Sequence, residues 1–428
     1  MKKKGIMALI ACGVMAAGAT LGMAACGNKE KGITIWASSD DQETLKTMIA
    51  RFKEDNPDFS VPITTGVVGA GDAVSKLSVD VSAGADIYCY ANDQVVNLLS
   101  YGALSAIPTK MVETLLEEND KDSVESGKVN DKYYGYPYAA DNGYFLYYNK
   151  AIMSDEDAGS LETILAKCKA AGKTFVYDME TAWYVGAFFL GTAEGCVGGT
   201  YDFEYEGTTV VYTHVNFDEK APGSEYTIGE IGGQALIDLA NAKAFVPGGD
   251  EQISKDLNGD KNGTWFGACI SGTWNAEKIQ QTLGENYGTA KLPTFHSSLD
   301  GKDYQMGSLL GYKLFGVNPN TKYLEESHQL AAYLMNEQMQ ELRFDELQTG
   351  PSNKKVAQLE KVQKNAALAA IIAQTPYATP QGAIPTSYWD AMKQFGANVK
   401  GKTVTSATLK EDLETFIKGF EKDIRADK

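Results

Sequence analysis

Histidine is scarce in this chain, and its scarcity limits the chemistry available. Three histidines occur among 428 residues, His214, His296 and His328, and they lie far apart in the sequence. The four cysteines after residue 26 form no Cys-x-x-Cys pair and have no histidine pair nearby. We therefore predict no metal site, no cofactor and no histidine-based catalytic triad. A disulfide is permitted outside the cell, but the sequence does not give its pairing.

Basic residues are also in deficit. The chain has 39 lysines and arginines against 56 aspartates and glutamates, which gives a formal net charge of −17 at pH 7. A surface this acidic repels the phosphate backbone of nucleic acid. We therefore exclude nucleic acid as a partner.

Long apolar runs are absent after the first 25 residues, so we predict that the rest of the chain is soluble. Three lysines precede the uncharged run Ile6–Ala25, which is the layout of a secretory signal. The run ends Met23-Ala24-Ala25-Cys26, which resembles the lipobox of bacterial lipoproteins. The resemblance implies a signal peptide at 1–25, lipidation of Cys26 and a membrane tether at 26–31. The alternatives are a transmembrane span and an ordinary signal peptide with an incidental cysteine.

Strand and helix patterns alternate after this leader. About 400 residues are too many for one hydrophobic core, so two domains are expected. Gly32–Trp36, Ser60–Val67 and Ala85–Tyr90 predict strands, with helical spacing of apolar residues between them. The alternation predicts crossover units and a mainly parallel sheet. Ligands bind at the carboxyl ends of such strands, here Ser38–Asp41 and Tyr90–Gln94.

A second α/β region follows the tyrosine-rich segment Lys132–Tyr138. The chain has 23 tyrosines, whose amphipathic rings suit polar, ring-shaped ligands. Further strands are predicted at Phe145–Asn149, Trp265–Ile270, Tyr287–Leu292 and Tyr312–Val317, with a hairpin around Glu206-Gly207 and a helical tail at 385–424.

Five segments, in order, resemble maltose-binding proteins of the extracellular solute-binding family. The segment Asn286–Phe295 resembles their crossover strand. The others resemble the sugar-contact loop of the first lobe, the hinge with its following strand, and two elements that each carry a stacking tryptophan. These are Ala85–Asp93, Gly135–Lys150, Ile270–Trp274 and Pro385–Trp389.

The resemblance implies an α/β, two-lobed, periplasmic-binding-protein-like fold with crossover hinge strands. It implies a protein on the extracellular face of the cell membrane, anchored by lipid. There it captures malto-oligosaccharides for the permease subunits of an ABC importer, as a monomer without catalytic activity. The implied first lobe is 32–139 and 299–347, the second is 144–293 and 352–428, and the hinge segments are 140–143, 294–298 and 348–351.

Sugar rings have apolar faces that need aromatic surface, and hydroxyl edges that need paired donors and acceptors. By resemblance, Trp274 and Trp389 stack on sugar rings, Trp183 matches an aromatic family position, and Tyr90 replaces a family tryptophan. For the three tryptophans, packing in the core is the alternative. Tyr90 can still stack on a sugar ring, with less area than a tryptophan.

Polar contacts are implied for the loop containing Asn92 and Asp93, where a carboxylate accepts from sugar hydroxyls. Capping of the next helix is the alternative for Asp93. Four further positions correspond to sugar-contact residues of the family. Three of them carry a different residue from the family, and the fourth has a competing role as a helix cap. Asp41 and Gln94 replace a lysine and an arginine, which removes positive donors; Asp141 is one methylene shorter than the family glutamate; and Asp40 could instead cap a helix.

Three other functions stay open. The same fold could bind a different cargo, such as a xylo- or galacto-oligosaccharide, as the changes at Tyr90, Asp41 and Gln94 suggest. The chain could be a surface glycoside hydrolase that uses a carboxylate pair such as Asp93 and Asp141. It could also serve a sensor, which the sequence does not separate from transport.

Overall fold

A computed structural model describes residues 32–259 and 266–425. The predicted signal peptide, Cys26, the tether and Trp265 lie outside these ranges. Within them, no helix has both the length and the apolar character of a membrane span. The four cysteines in these ranges are buried free thiols, so none of them forms a disulfide.

Strands account for eighteen elements of the described residues. They are β1 Ile33–Ala37, β2 Ile63–Val67, β3 Ile87–Ala91, β4 Lys128–Val129, β5 Lys132–Tyr133, β6 Tyr136–Gly143, β7 Phe145–Asn149, β8 Thr174–Tyr177, β9 Tyr201–Glu206, β10 Thr209–Val215, β11 Phe245–Pro247, β12 Phe266–Ser271, β13 Tyr287–Ala290, β14 Thr294–His296, β15 Asp303–Gln305, β16 Ser308–Val317, β17 Ala378–Pro380 and β18 Lys422–Asp423.

Seventeen α-helices occur in the same ranges. They are α1 Gln42–Asp55, α2 Ala73–Leu77, α3 Val95–Ser100, α4 Thr109–Glu118, α5 Lys121–Glu125, α6 Leu161–Ala170, α7 Ala182–Val185, α8 Ile228–Asn241, α9 Asp250–Leu257, α10 Ala276–Leu283, α11 Leu324–Leu334, α12 Glu337–Leu347, α13 Lys354–Ala357, α14 Glu360–Gln363, α15 Ala366–Gln374, α16 Thr386–Lys400 and α17 Leu409–Phe420.

The first lobe is built on a sheet with strand order β17-β16-β3-β1-β2, and β6 also pairs with β16. β1 runs parallel to β2 and β3, as the alternating pattern predicts, whereas β16 is antiparallel to β3. Apolar cores cover both faces of this sheet. Phe52 of α1 and Leu330 of α11 lie in one core, and Leu98 of α3 lies in the other.

The second lobe is built on a sheet with strand order β11-β8-β12-β7-β13, in which β7 is antiparallel to both its neighbours. The hairpin β9–β10 pairs with β18 in a smaller sheet. α8 begins with a capping box formed by Thr227 and Glu230, which satisfies free N–H groups at its first turn. Its buried face joins α16 and α17 in the largest core.

The chain crosses between the lobes several times. β6 belongs to the first sheet, and β7 enters the second sheet one residue later. Two segments lie elsewhere than the resemblance implies. Tyr304, Met306 and Leu309 pack in the core of the second lobe, although 299–347 was assigned to the first. β17 joins the first sheet, although 352–428 was assigned to the second lobe.

Candidate functional site

A cleft between the two lobes contains a cavity of about 590 Å³, which we call the main chamber. Asp93 and Gln94 reach it from the loop after β3 in the first lobe. Trp183, Trp274 and Trp389 reach it from α7, the loop after β12 and α16 in the second lobe. All three indole rings are half-buried. The volume lies within the range of about 300–1,000 Å³ that is usual for small-molecule sites.

Trp274 is held in place by its neighbours. Its indole N–H donates to both carboxylate oxygens of Asp250, at 3.1 and 3.0 Å. Asp250 also accepts from Asn275 Nδ2 at 2.7 Å. The ring folds back over Gly272, where a Cβ atom would come within 2.0 Å of it. The Gly-Thr-Trp sequence therefore fixes one aromatic wall of the main chamber.

Trp389 and Trp183 form a second aromatic wall. Their ring centroids are 6.3 Å apart with an interplanar angle of 38°. Trp183 also meets the ring of Tyr144 edge-on at 5.6 Å. Tyr388, the residue before Trp389, is fully buried and lies in the core. α16 thus directs Tyr388 inward and Trp389 into the cleft.

Asp93 faces these tryptophans from the first lobe. Its side chain is buried, Oδ1 has no hydrogen-bond partner among the described residues, and the carboxylate accepts a hydrogen bond from the Trp389 side chain. Burial raises the pKa of the Asp93 carboxyl from 3.8 to about 7, although the hydrogen bonds partly lower it. The alternative role as a helix cap is not what the structure shows, because Gln94 is the N-cap of α3.

A second cavity of about 190 Å³, the small chamber, adjoins the first. Asp41 lies there and accepts from Ser38 Oγ at 2.6 Å and from the Tyr138 hydroxyl at 2.5 Å. Asp141 accepts from the Gly350 N–H at 2.6 Å, while its Oδ1 has no partner among the described residues. Asp40 is more exposed and lies 3.6 Å from Lys278 of the second lobe.

Two predicted contact residues lie outside both chambers. Tyr90 is fully buried in a core of the first lobe, because β3 is covered on both faces of its sheet. Asn92 is also buried; its Nδ2 donates to the Gln381 carbonyl, and its Oδ1 accepts from the Tyr312 N–H at 2.9 Å. Gln94 does line the main chamber, and its Nε2 donates to the Gly71 carbonyl at 3.3 Å.

Several residues of the cleft were not predicted. Asp250 lies at the start of α9, 24 positions before Trp274, and Lys313 lies within β16. No local motif marks either one, because only the packing of the elements brings them to the cleft. The chambers are lined by three lysines, Lys278, Lys313 and Lys393. These supply positive donors from other elements, in place of the lysine and arginine that the family has at positions 41 and 94.

The two chambers offer aromatic faces, acceptors and a few cations. Asp93 lines the main chamber, and Asp141 lines the adjoining small one. Among the described residues, no group of three or more histidine, cysteine or acidic side chains could hold a metal ion. The arrangement is suited to holding a neutral polyhydroxylated molecule between two lobes.

The sequence profile described as bacterial extracellular solute-binding protein matches residues 47–370. The chain belongs to this family. The galactooligosaccharide-binding protein of Bacillus subtilis (strain 168) is 25% identical over 394 residues, covering 87% of each chain.

Solved structures share the two-lobed fold. One determined with acarbose has a TM-score of 0.77 at 27% identity, covering 91% of this solute-binding protein and 98% of that chain. The maltodextrin-binding protein of L. casei BL23, solved without ligand, has a TM-score of 0.70 at 21% identity, with 92% and 99% covered. The latter likeness concerns the fold alone.

Proposed function

We propose that this protein captures an oligosaccharide in the cleft and delivers it to the permease subunits of an ABC importer, without catalysis. The observation that carries the proposal is the arrangement of three half-buried tryptophans on one lobe opposite the buried carboxylate of Asp93 on the other. Aromatic rings bind the apolar faces of sugars, and charged acceptors make the stronger hydrogen bonds to hydroxyl groups.

The proposed cargo is a malto-oligosaccharide. The structure determined with acarbose, at 27% identity, and solved maltodextrin-binding proteins of the same fold support this choice. A galacto-oligosaccharide is the second candidate, because the Bacillus subtilis relative is named for that cargo. A xylo-oligosaccharide would leave the fold and the mode of capture unchanged.

Titration calorimetry of the chain without residues 1–26 tests the proposal. We expect micromolar binding, about −8 kcal/mol, to malto-oligosaccharides and weaker binding to galacto- and xylo-oligosaccharides. Heat with a galacto series alone would reject the malto assignment and keep the mode of capture. No heat with any series would reject sugar binding altogether. Release of reducing ends during incubation would contradict the absence of catalysis.

The Trp389→Ala variant tests the aromatic wall. We expect its affinity for the preferred sugar to fall by about tenfold or more, because a stacking surface is lost. Tyr101→Ala is the matched control, since Tyr101 is an aromatic residue that is 49% exposed and lines neither chamber. Equal affinities for the two variants would show that Trp389 does not contribute to sugar binding.

We also propose that the protein is a monomer held at the extracellular face of the cell membrane by a lipid on Cys26. The support is the family, whose members are extracellular, and the lipobox-like Met23–Cys26 sequence. A Cys26→Ser chain should appear in the culture medium, whereas the unchanged chain should sediment with membranes. Equal retention of both chains would contradict lipid anchoring.

A further inference from the structure

The two chambers of the cleft meet at one pair of residues. Among the described residues, Trp274 and Lys313 are the side chains that line both cavities. Trp274 comes from the second lobe and Lys313 from β16 of the first. The pair therefore forms the partition between a larger and a smaller space.

The two members of this partition are in direct contact. Lys313 Nζ lies 5.1 Å from the centroid of a Trp274 ring, within the range of a cation–π interaction. The ammonium group thus occupies part of the aromatic surface on which a sugar would stack.

The two side chains differ in their freedom to move. Trp274 is fixed by two hydrogen bonds to Asp250 and by the close approach of its ring to Gly272. Lys313 is half-buried on a flexible four-carbon stem, and no carboxylate of the described residues lies within ion-pair distance of it. Any opening of the partition would therefore come from the lysine.

The small chamber is equipped for one more sugar ring. Its volume of about 190 Å³ is about one third of the 590 Å³ of the main chamber, so it has much less room for a chain of rings. Its lining carries the carboxylates of Asp41 and Asp141, and one oxygen of Asp141 is buried without a partner. A sugar hydroxyl that donates to this oxygen would satisfy it.

We propose that Lys313, seated over Trp274, is a gate that determines the length of the bound oligosaccharide. While the ammonium covers the ring, the ligand is confined to the main chamber. A longer chain must displace the lysine in order to place a terminal ring in the small chamber. This inference rests on the proposed capture of an oligosaccharide.

The test measures affinity against chain length. Wild type, Lys313→Ala and Lys313→Arg are titrated calorimetrically with members of two to seven rings from the series that the wild type binds. We expect Lys313→Ala to favour the longer members over the shortest by about tenfold more than wild type does. Lys313→Arg keeps a cation that can stack on the ring, so it should retain the wild-type profile. Lys322→Ala, an exposed change of the same charge in the same lobe, is the control and should also retain it.

Each other outcome overturns the gate in a distinguishable way. An unchanged profile in Lys313→Ala would show that the lysine does not limit length. A uniform loss of affinity at every length would make Lys313 an ordinary ligand for a hydroxyl group. If the wild type binds no oligosaccharide, the proposed function fails along with the gate.

Discussion

Asp93 is proposed to accept hydrogen bonds from sugar hydroxyls as a carboxylate, but its burial disfavours the charged form. It is 7% exposed, and one of its carboxylate oxygens has no partner among the described residues. Burial of such a group disfavours its charged form, which is why its pKa rises from 3.8 to about 7. The folded chain therefore holds a proton on Asp93 at pH values where the unfolded chain has released it.

The sign of the resulting pH dependence follows from linkage. Between about pH 4 and pH 7 the native state binds more protons at Asp93 than the unfolded state does, so the contribution of Asp93 to stability falls as pH rises and is level above pH 7. Asp93→Asn removes this dependence. We expect the difference in unfolding free energy, Asp93→Asn minus wild type, to increase by on the order of 4 kcal/mol between pH 4 and pH 8.

Urea denaturation at a series of pH values measures this difference. A constant difference between Asp93→Asn and wild type at every pH would contradict the raised pKa. Repeating the series with saturating sugar adds a second readout, because a bound hydroxyl donor stabilises the carboxylate and should reduce the pH dependence of wild type.

At the scale of elements, a group of amide side chains secures the crossover segment at the edge of the cleft. We call Asn92, Asn142 and Gln381 the crossover clasp. Asn92 joins the Gln381 carbonyl to the Tyr312 N–H, and Asn142 Nδ2 donates to Gln381 Oε1 at 3.2 Å. Gly311 allows this closeness, because a Cβ atom there would lie 2.1 Å from Gln381 Oε1. The clasp connects the loop after β3, β6 and the segment after β17.

Asn92→Ala tests the clasp. The change leaves the Tyr312 N–H and the Gln381 carbonyl without their side-chain partner, and each buried unpaired group costs about 1–3 kcal/mol. We expect the free energy of unfolding to fall by about 2 kcal/mol or more in urea titrations. Asn320→Ala, an exposed asparagine just after β16, is the control and should change it by about 0.5 kcal/mol at most. A loss no larger than that of the control would mean that water replaces the clasp.

Individual elements were predicted from sequence more reliably than their assembly. Apolar patterns placed the strands β1, β3 and β7 close to their observed bounds, and helical spacing predicted a helix between β1 and β2, where α1 lies. Asn92 and Tyr90 were misplaced because a loop motif does not reveal which side chains turn away from the cleft. Asn92 instead forms part of the clasp, and Tyr90 packs in the core of the first lobe.

At the scale of the whole molecule, the two lobes could be foreseen only through the family resemblance. Length and alternating patterns predict two α/β units, but they do not show that β16 inserts beside β3 across more than two hundred residues. The tryptophans of the cleft lie in short motifs and were found from sequence. Lys313 and Asp250 were not, because their positions depend on sheet order and on the packing of α9 against β12.

The place of β16 in the first sheet also orders the events of synthesis. β3 lacks one of its two neighbours, and β6 lacks its partner in that sheet, until β16 has been translated. That happens about 170 residues after β6, roughly 10 to 35 s later at usual elongation rates. The leading part of the nascent chain thus stays without a finished core while the rest is made, and in that state a polypeptide can still be threaded through a membrane.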